Sequence, residues 1–151
     1  MKLRQDIENL LRSRLQALHE AGAGTIGDML GLELLRYDPE KAEFLLRGTT
    51  AQWMRNLAGT LHGGMCATVL DQAMGCVAYC AKPGEGTAPT VQLQVMYHRP
   101  LIPGEDVLIR IRVISVTRSL IQLASEAMLA STPEKLCLSG NATYFYKPSS
   151  T

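Results

Sequence analysis

Residues 65–81 are almost continuously apolar, and one carboxylate interrupts them. These 17 residues are built mainly from Met, Cys, Ala, Val, Leu and Tyr, with Asp71 near the middle. A membrane-spanning helix wants about 20 apolar residues and tolerates a central carboxylate poorly. The run is therefore read as a buried helix of a soluble domain. Its polar positions Thr68, Asp71 and Gln72, with a gap at Gly75, fall at i, i+3, i+4 and i+7. They form one narrow stripe, and the rest of the helix needs an apolar cover.

The cover comes from segments of period two. Lys82-Pro83-Gly84-Glu85-Gly86 marks a turn. After it Val91, Leu93, Val95 and Tyr97 alternate with Gln92, Gln94, Met96 and His98. Val107, Ile109, Ile111 and Val113 alternate with Arg110 and Arg112. Ile121, Leu123, Ala127 and Leu129 share one face of the next run, and Leu136, Leu138, Ala142, Tyr144 and Tyr146 one face of the last. Four half-buried strands with short connections imply an antiparallel sheet. Two further strands, 29–37 and 41–47, flank the turn signal Asp38-Pro39. Ahead of them Leu3, Ile7, Leu10, Leu11, Leu15 and Leu18 repeat at steps of three and four, an amphipathic helix over residues 3–21 that ends at Gly22 and Gly24. The order is helix, two strands, long helix, four strands. A long apolar helix and a one-sided sheet must cover each other, so the fold class is α+β with the helix wrapped by the sheet. Residues 149–151 read as a frayed tail.

Composition excludes several functions. Lys plus Arg number 15 and Asp plus Glu 14, leaving a formal charge of +1. That balance offers no electrostatic footprint for nucleic acid. One Trp, five Tyr and two Phe are too few for a single-strand stacking platform. Charges at Lys2, Arg4, Asp6, Glu8, Arg12 and Arg14 interrupt any signal-peptide core. Cys66, Cys76, Cys80 and Cys137 make no C-x-x-C and no zinc spacing, so they read as reduced thiols of a cytoplasmic protein, with no metal.

A carboxylate on a buried helix is costly unless paired, which makes Asp71 a functional candidate. It reads equally as a solvent-facing group or a structural bond to a neighbouring subunit. His62-Gly63-Gly64 precedes the helix. Unpaired N–H groups at a helix start can receive an oxyanion, and the same residues also suit a simple loop-to-helix turn. Cys66 follows His62 by four residues, but its apolar flank raises a thiol pKa rather than lowering it. His19 reads as a solvated helix residue and His98 as a surface or interface residue.

Taken together, Asn56, Gly59-Thr60-Leu61-His62-Gly63-Gly64, Asp71, Pro89-Thr90-Val91, Tyr97-His98-Arg99-Pro100 and Pro103-Gly104-Glu105 resemble the hotdog-fold acyl-CoA thioesterases, in particular the phenylacetic-acid-degradation branch. The resemblance covers about residues 28–147. It implies a hotdog domain over 25–148 behind an N-terminal helix, 1–24. It also implies homodimers whose sheets join edge to edge and that usually pair into tetramers, with sites at the dimer interface. By the same resemblance Asp71 is the carboxylate that activates water or attacks the thioester. Gly63 N–H and Asn56 polarise the thioester oxygen, His62 holds the loop and Gly64 opens it. Asp71 is expected to act with the Asn56 and Gly63 of the other protomer. Thr90 falls where relatives can carry a water-positioning hydroxyl, although strand alternation puts it with Gln92 and Gln94. Arg118, Arg99 and Lys82 are the candidates for the CoA phosphates, and no cofactor is required because CoA is part of the substrate. Aryl or medium-chain acyl groups would lie against Met65, Val69, Met74 and Tyr79. The competing readings are a non-catalytic acyl-CoA-binding protein on this fold and, ranked last, an acyl-thioester hydratase or dehydratase using His98.

Overall fold

The computed structural model describes residues 3–82 and 86–148. The expected turn at 82–86 lies partly, and the expected frayed tail wholly, outside these residues. Helix α1 (Ile7–Ala21) is followed by a single turn of helix, α2 (Ile26–Met29), and by strands β1 (Glu33–Asp38) and β2 (Glu43–Gly48). The long helix α3 (Gly63–Ala81) comes next. Then come β3 (Gly86–Thr87), β4 (Thr90–Tyr97), β5 (Val107–Val116), β6 (Leu120–Leu129), β7 (Leu138–Phe145) and β8 (Lys147–Pro148). Six strands form one antiparallel sheet in the order β1-β2-β5-β6-β7-β4, and β3 pairs with β8. The expected order of helix, two strands, long helix and four strands is the observed one, with small additions.

Helix α3 begins two residues earlier than the apolar run. His62 caps it, its Nδ1 accepting the Gly64 N–H at 3.0 Å while its carbonyl takes the Cys66 N–H. The helix stops at Lys82, whose extended backbone suits the residue before Pro83. Leu70, Ala73, Met74, Val77 and Ala78 are fully buried. They pack on the inner face of the sheet, where Phe44, Leu46, Ile109, Ile111, Ile121 and Leu123 belong to the same core. Where β7 crosses α3, a Cβ on Gly140 would come within 3.0 Å of both Leu70 Cδ1 and the Gln94 carbonyl. Glycine there lets helix and sheet approach.

Ile7, Leu11 and Leu15 of α1 are buried in that core as well. Residues 29–32 are not strand. Thr25 Oγ1 accepts the Asp28 N–H and starts a helical turn, and β1 begins only after Gly31 at φ +49°. Local side-chain capping overrides an apolar run that is too short to specify its own period.

Alternation along β4 is also broken. The register pairs Thr90 with Tyr144 but Gln92 with Thr143, so Val91 is an extra, bulged residue. Alternation places Val91 on the covered face, whereas it is 61% exposed. Thr90, two residues short of Gln92, turns to the inner face. Strand β4 ends the sheet, and Val91, Met96 and Tyr97 are exposed on it.

Candidate active site

Asp71 sits on α3 beneath β4 and β7. Its Oδ1 accepts hydrogen bonds from Thr90 Oγ1 and from Tyr144 Oη, each at 2.9 Å. The Tyr144 hydroxyl also lies 3.0 Å from the Asp71 carbonyl. Both hydroxyl bonds fall on one carboxylate oxygen. Among the described residues Oδ2 has no partner. The group lines a cavity of about 690 Å³ with Arg14, Gln72, Gly75, Cys76, Tyr79, Thr90 and Tyr144 among its walls. Burial first, and then the Asp71 charge, push the Tyr144 phenol well up, so it stays a protonated donor.

Thr90 therefore meets Asp71, against the alternation that groups it with Gln92 and Gln94. The bulge at Val91 is the cause. Alternation reads Tyr144 as an apolar-face residue of the last strand and misses its hydroxyl. The available signal is a pairing: a buried phenol needs an acceptor, and a half-buried carboxylate on an apolar helix needs donors. The expected cavity wall also needs correction. Tyr79 lines the cavity, but Val69 and Met74 are 1% and 0% exposed and belong to the core. Gly75 and Tyr79 follow Asp71 at steps of four on the helix, on the face that opens to the cavity.

Asn56 and Gly63 line a different cavity, of about 350 Å³, with Thr60, Cys66, Tyr97, His98 and Arg99. Asn56 closes its own loop: Oδ1 accepts the Ala58 and Thr60 N–H groups, and Nδ2 donates to Thr60 Oγ1 at 2.9 Å. Nδ2 keeps a second proton free of these bonds. Gly63 is the first residue of α3, so its N–H has no intrahelical acceptor. Its carbonyl accepts from Tyr97 Oη at 2.7 Å, which fixes the helix start against β4. Gly64 gives its N–H to the cap.

Asp71 and Gly63 are eight residues apart on one helix, about 12 Å at 1.5 Å per residue. One chain thus separates the carboxylate from the Gly63 and Asn56 donors. The three cations proposed for CoA are also not all brought together. Arg99 lies beside Asn56 and bonds the Leu136 carbonyl. Lys82 follows the other end of α3 and donates to the Arg118 carbonyl at 3.0 Å. His98 Nε2 is 2.8 Å from Ser139 Oγ, in the Asn56 cavity rather than beside Asp71.

All four cysteines are free and buried. Burial pushes the Cys66 and Cys76 thiols up to about 11 and Cys80 up to about 12. Cys66 is accordingly a neutral thiol at neutral pH and no nucleophile. These shifts also carry a stability prediction. Unfolded thiols ionise near 9.0, and the folded ones hold their protons longer. Stability is therefore full below about pH 9 and falls as pH rises toward about 11–12. Each thiol is expected to remove about 1–2 kcal/mol by about pH 10.5. Urea unfolding across that range measures it, and replacing Cys76 and Cys80 by Ala should flatten the decline.

The six-stranded sheet around one long helix, with its carboxylate and its glycine-led helix start, defines a hotdog thioesterase architecture. A family profile described as the thioesterase superfamily matches residues 58–133, and the chain belongs to that superfamily. Membership supports a thioester hydrolase in general. No curated protein matches the chain in a sequence search. Among solved structures, mouse thioesterase superfamily member 2 is 20% identical, with 95% of this chain and 98% of that one covered and a TM-score of 0.71. A phenylacetic acid degradation protein of Thermus thermophilus, PaaI, solved as a point mutant, is 26% identical over 77% of this chain and 93% of that one, with a TM-score of 0.62. The smu.793 protein of Streptococcus mutans UA159, solved with acetyl CoA, is 18% identical over 80% and 91%, with a TM-score of 0.65. No helix among the described residues is long and apolar enough to cross a membrane.

Proposed function

We propose that the chain hydrolyses acyl-CoA thioesters, with aryl or medium-chain acyl groups, to the free acid and CoA. The observation that carries this reading is the Asp71 carboxylate. One of its oxygens is anchored by two hydroxyls, and the other, Oδ2, is left without a protein partner among the described residues. Anchoring at Oδ1 fixes the carboxylate plane. Oδ2 either takes a proton from the attacking water and returns it to the CoA thiolate as the C–S bond breaks, leaving the acyl group as the acid, or attacks the carbonyl carbon itself. Direct attack expels the thiolate and forms a mixed anhydride. A water then hydrolyses the anhydride to the acid and the regenerated carboxylate, the water's proton passing to CoA.

The oxyanion site belongs to a second copy. A two-fold axis through the exposed β4 edge would run two β4 strands antiparallel. The Thr90 end of one strand would then meet the Tyr97 end of the other. Thr90 carries Asp71, and Tyr97 carries Gly63 through its carbonyl. Such a dimer would seat the Gly63 N–H and the free Asn56 proton of one protomer opposite the Asp71 of the other. It would also cover Val91 and Met96, which an exposed edge otherwise leaves open to aggregation. Pairing of such dimers into tetramers goes with this reading, as does a place for the protein in the cytoplasm. Arg99, on the Asn56 side, would meet the CoA phosphates, while Lys82 and Arg118 lie past the far end of α3, away from that side.

A thiol-release assay on a panel of aryl, short, medium and long acyl-CoAs tests the activity. The expected result is CoA release from several medium or aryl substrates. Saturable acyl-CoA binding without thiol release would make the protein a binder instead. Absorbance change of a conjugated enoyl thioester without thiol release would favour the hydratase.

A further inference from the structure

We infer that Arg14, carried by the N-terminal helix, is a recognition point for a carboxylate at the far end of the acyl group. The inference rests on the hydrolytic reading of the Asp71 cavity and names the substrate class that the cavity favours: acyl-CoAs of dicarboxylic acids.

Arg14 lines the same cavity as Asp71. Its guanidinium carbon lies 4.3 Å from the centroid of the Tyr79 ring. Tyr79 is eight residues beyond Asp71 on α3, about 12 Å at 1.5 Å per residue. The cavity therefore has a carboxylate at one end and a guanidinium at the other. The wall between them includes Gly75, Cys76 and Tyr79, with no acidic or basic side chain among them, as an acyl chain requires.

Among the described residues no acidic side chain pairs with the Arg14 guanidinium, whereas Arg4, Arg12, Arg36, Arg47 and Arg110 each meet a carboxylate. Its Nε is buried and without a hydrogen-bond partner among the described residues. The neighbouring thiols Cys76 and Cys80 remain protonated and supply no anion. Stacking on Tyr79 offsets part of the desolvation and holds the group in place. A partly buried cation of this kind, poised on a cavity wall, takes an anion entering through that cavity. A carboxylate on the acyl terminus brings that anion in line with the thioester held at Asp71. A plain alkyl terminus leaves the guanidinium unpaired, and that loss sets the preference.

The test compares suberyl-CoA with octanoyl-CoA, which match in chain length and differ at the far terminus. Wild-type protein is assayed beside Arg14→Met, which keeps an aliphatic stem on Tyr79, and Arg14→Lys, which keeps the charge. Thiol release gives kcat/KM. Calorimetry with the non-hydrolysable thioether analogues of both CoA esters gives affinity without any need for turnover. Arg14→Met is expected to lower kcat/KM and affinity for the carboxylated compound by about 10- to 100-fold, the range for a hydrogen bond to a charged group. The octanoyl values should stay within about twofold, and Arg14→Lys should recover part of the loss. Equal changes for both compounds would instead put Arg14 on the CoA phosphates or in the packing, and would overturn the inference. So would turnover in wild type with no preference between the two. A carboxylate preference in binding, lost in Arg14→Met, with no thiol release from any acyl-CoA would keep the subsite and overturn the hydrolytic reading.

Discussion

Asp71→Asn is expected to lower kcat for acyl-CoA hydrolysis by about 10²–10⁴-fold, the contribution of a positioned acid–base group. Asparagine is nearly isosteric with aspartate. Its amide oxygen can accept the same two hydroxyl bonds from Thr90 and Tyr144 that the carboxylate accepts now. The tie between α3, β4 and β7 therefore survives, and the unfolding midpoint should move by no more than about 4 °C, the shift for about 1 kcal/mol in a domain of this size. What disappears is the anionic Oδ2, which alone can act as base or nucleophile. Kinetics and a thermal melt on the same preparation separate the two roles. A melt that collapses together with activity would make Asp71 a structural tie. Near wild-type turnover with an unchanged melt would remove it from the chemistry.

The candidate site is partly legible in the sequence, for physical reasons that differ from residue to residue. Asp71 stands out because a carboxylate in an apolar helix needs an explanation. The helix, the sheet and their mutual cover follow from a change of period at residue 86. Thr90 is misplaced by alternation because a bulge leaves no trace in a pattern of apolar and polar residues: Val91 looks like every other inward valine. Tyr144 hides for the opposite reason. Its ring obeys the inward pattern, and only its hydroxyl, invisible to a hydrophobicity count, reaches Asp71. Arg14 falls on the charged side of an amphipathic helix, where solvent exposure is the ordinary expectation. Its role depends on how α1 lies against α3, which no local pattern encodes. The separation of Asp71 from Gly63 is readable, since eight helical residues fix it. A second chain to close the gap is implied at the sequence level only by the family resemblance, and the exposed β4 edge adds a place where it could pair.

That gap leads to the most demanding expectation. If the oxyanion donors and the carboxylate come from different protomers, two inactive variants must restore each other. Asn56→Asp is the partner to choose for Asp71→Asn. Its carboxylate can still accept the Ala58 and Thr60 N–H groups and the Thr60 hydroxyl, so the loop keeps its closure. It loses the amide donor and sets a negative charge where the oxyanion develops. Loss of one oxyanion donor alone costs about 10²–10³ in kcat, and an opposing charge adds to that. Each variant alone is thus expected to be nearly inert. A symmetric dimer has two equivalent sites. Random exchange makes half the dimers mixed, and each mixed dimer has one site with neither substitution, so an equimolar mixture should regain about a quarter of wild-type activity. Exchange is followed by native mass spectrometry, and activity should rise in step with the mixed species. A mixture that exchanges fully and stays inert would mean that each chain holds its complete site, and the β4-paired arrangement would fall with it. Full activity in Asn56→Asp alone would take Asn56 out of the oxyanion site and leave Gly63 as the donor to test.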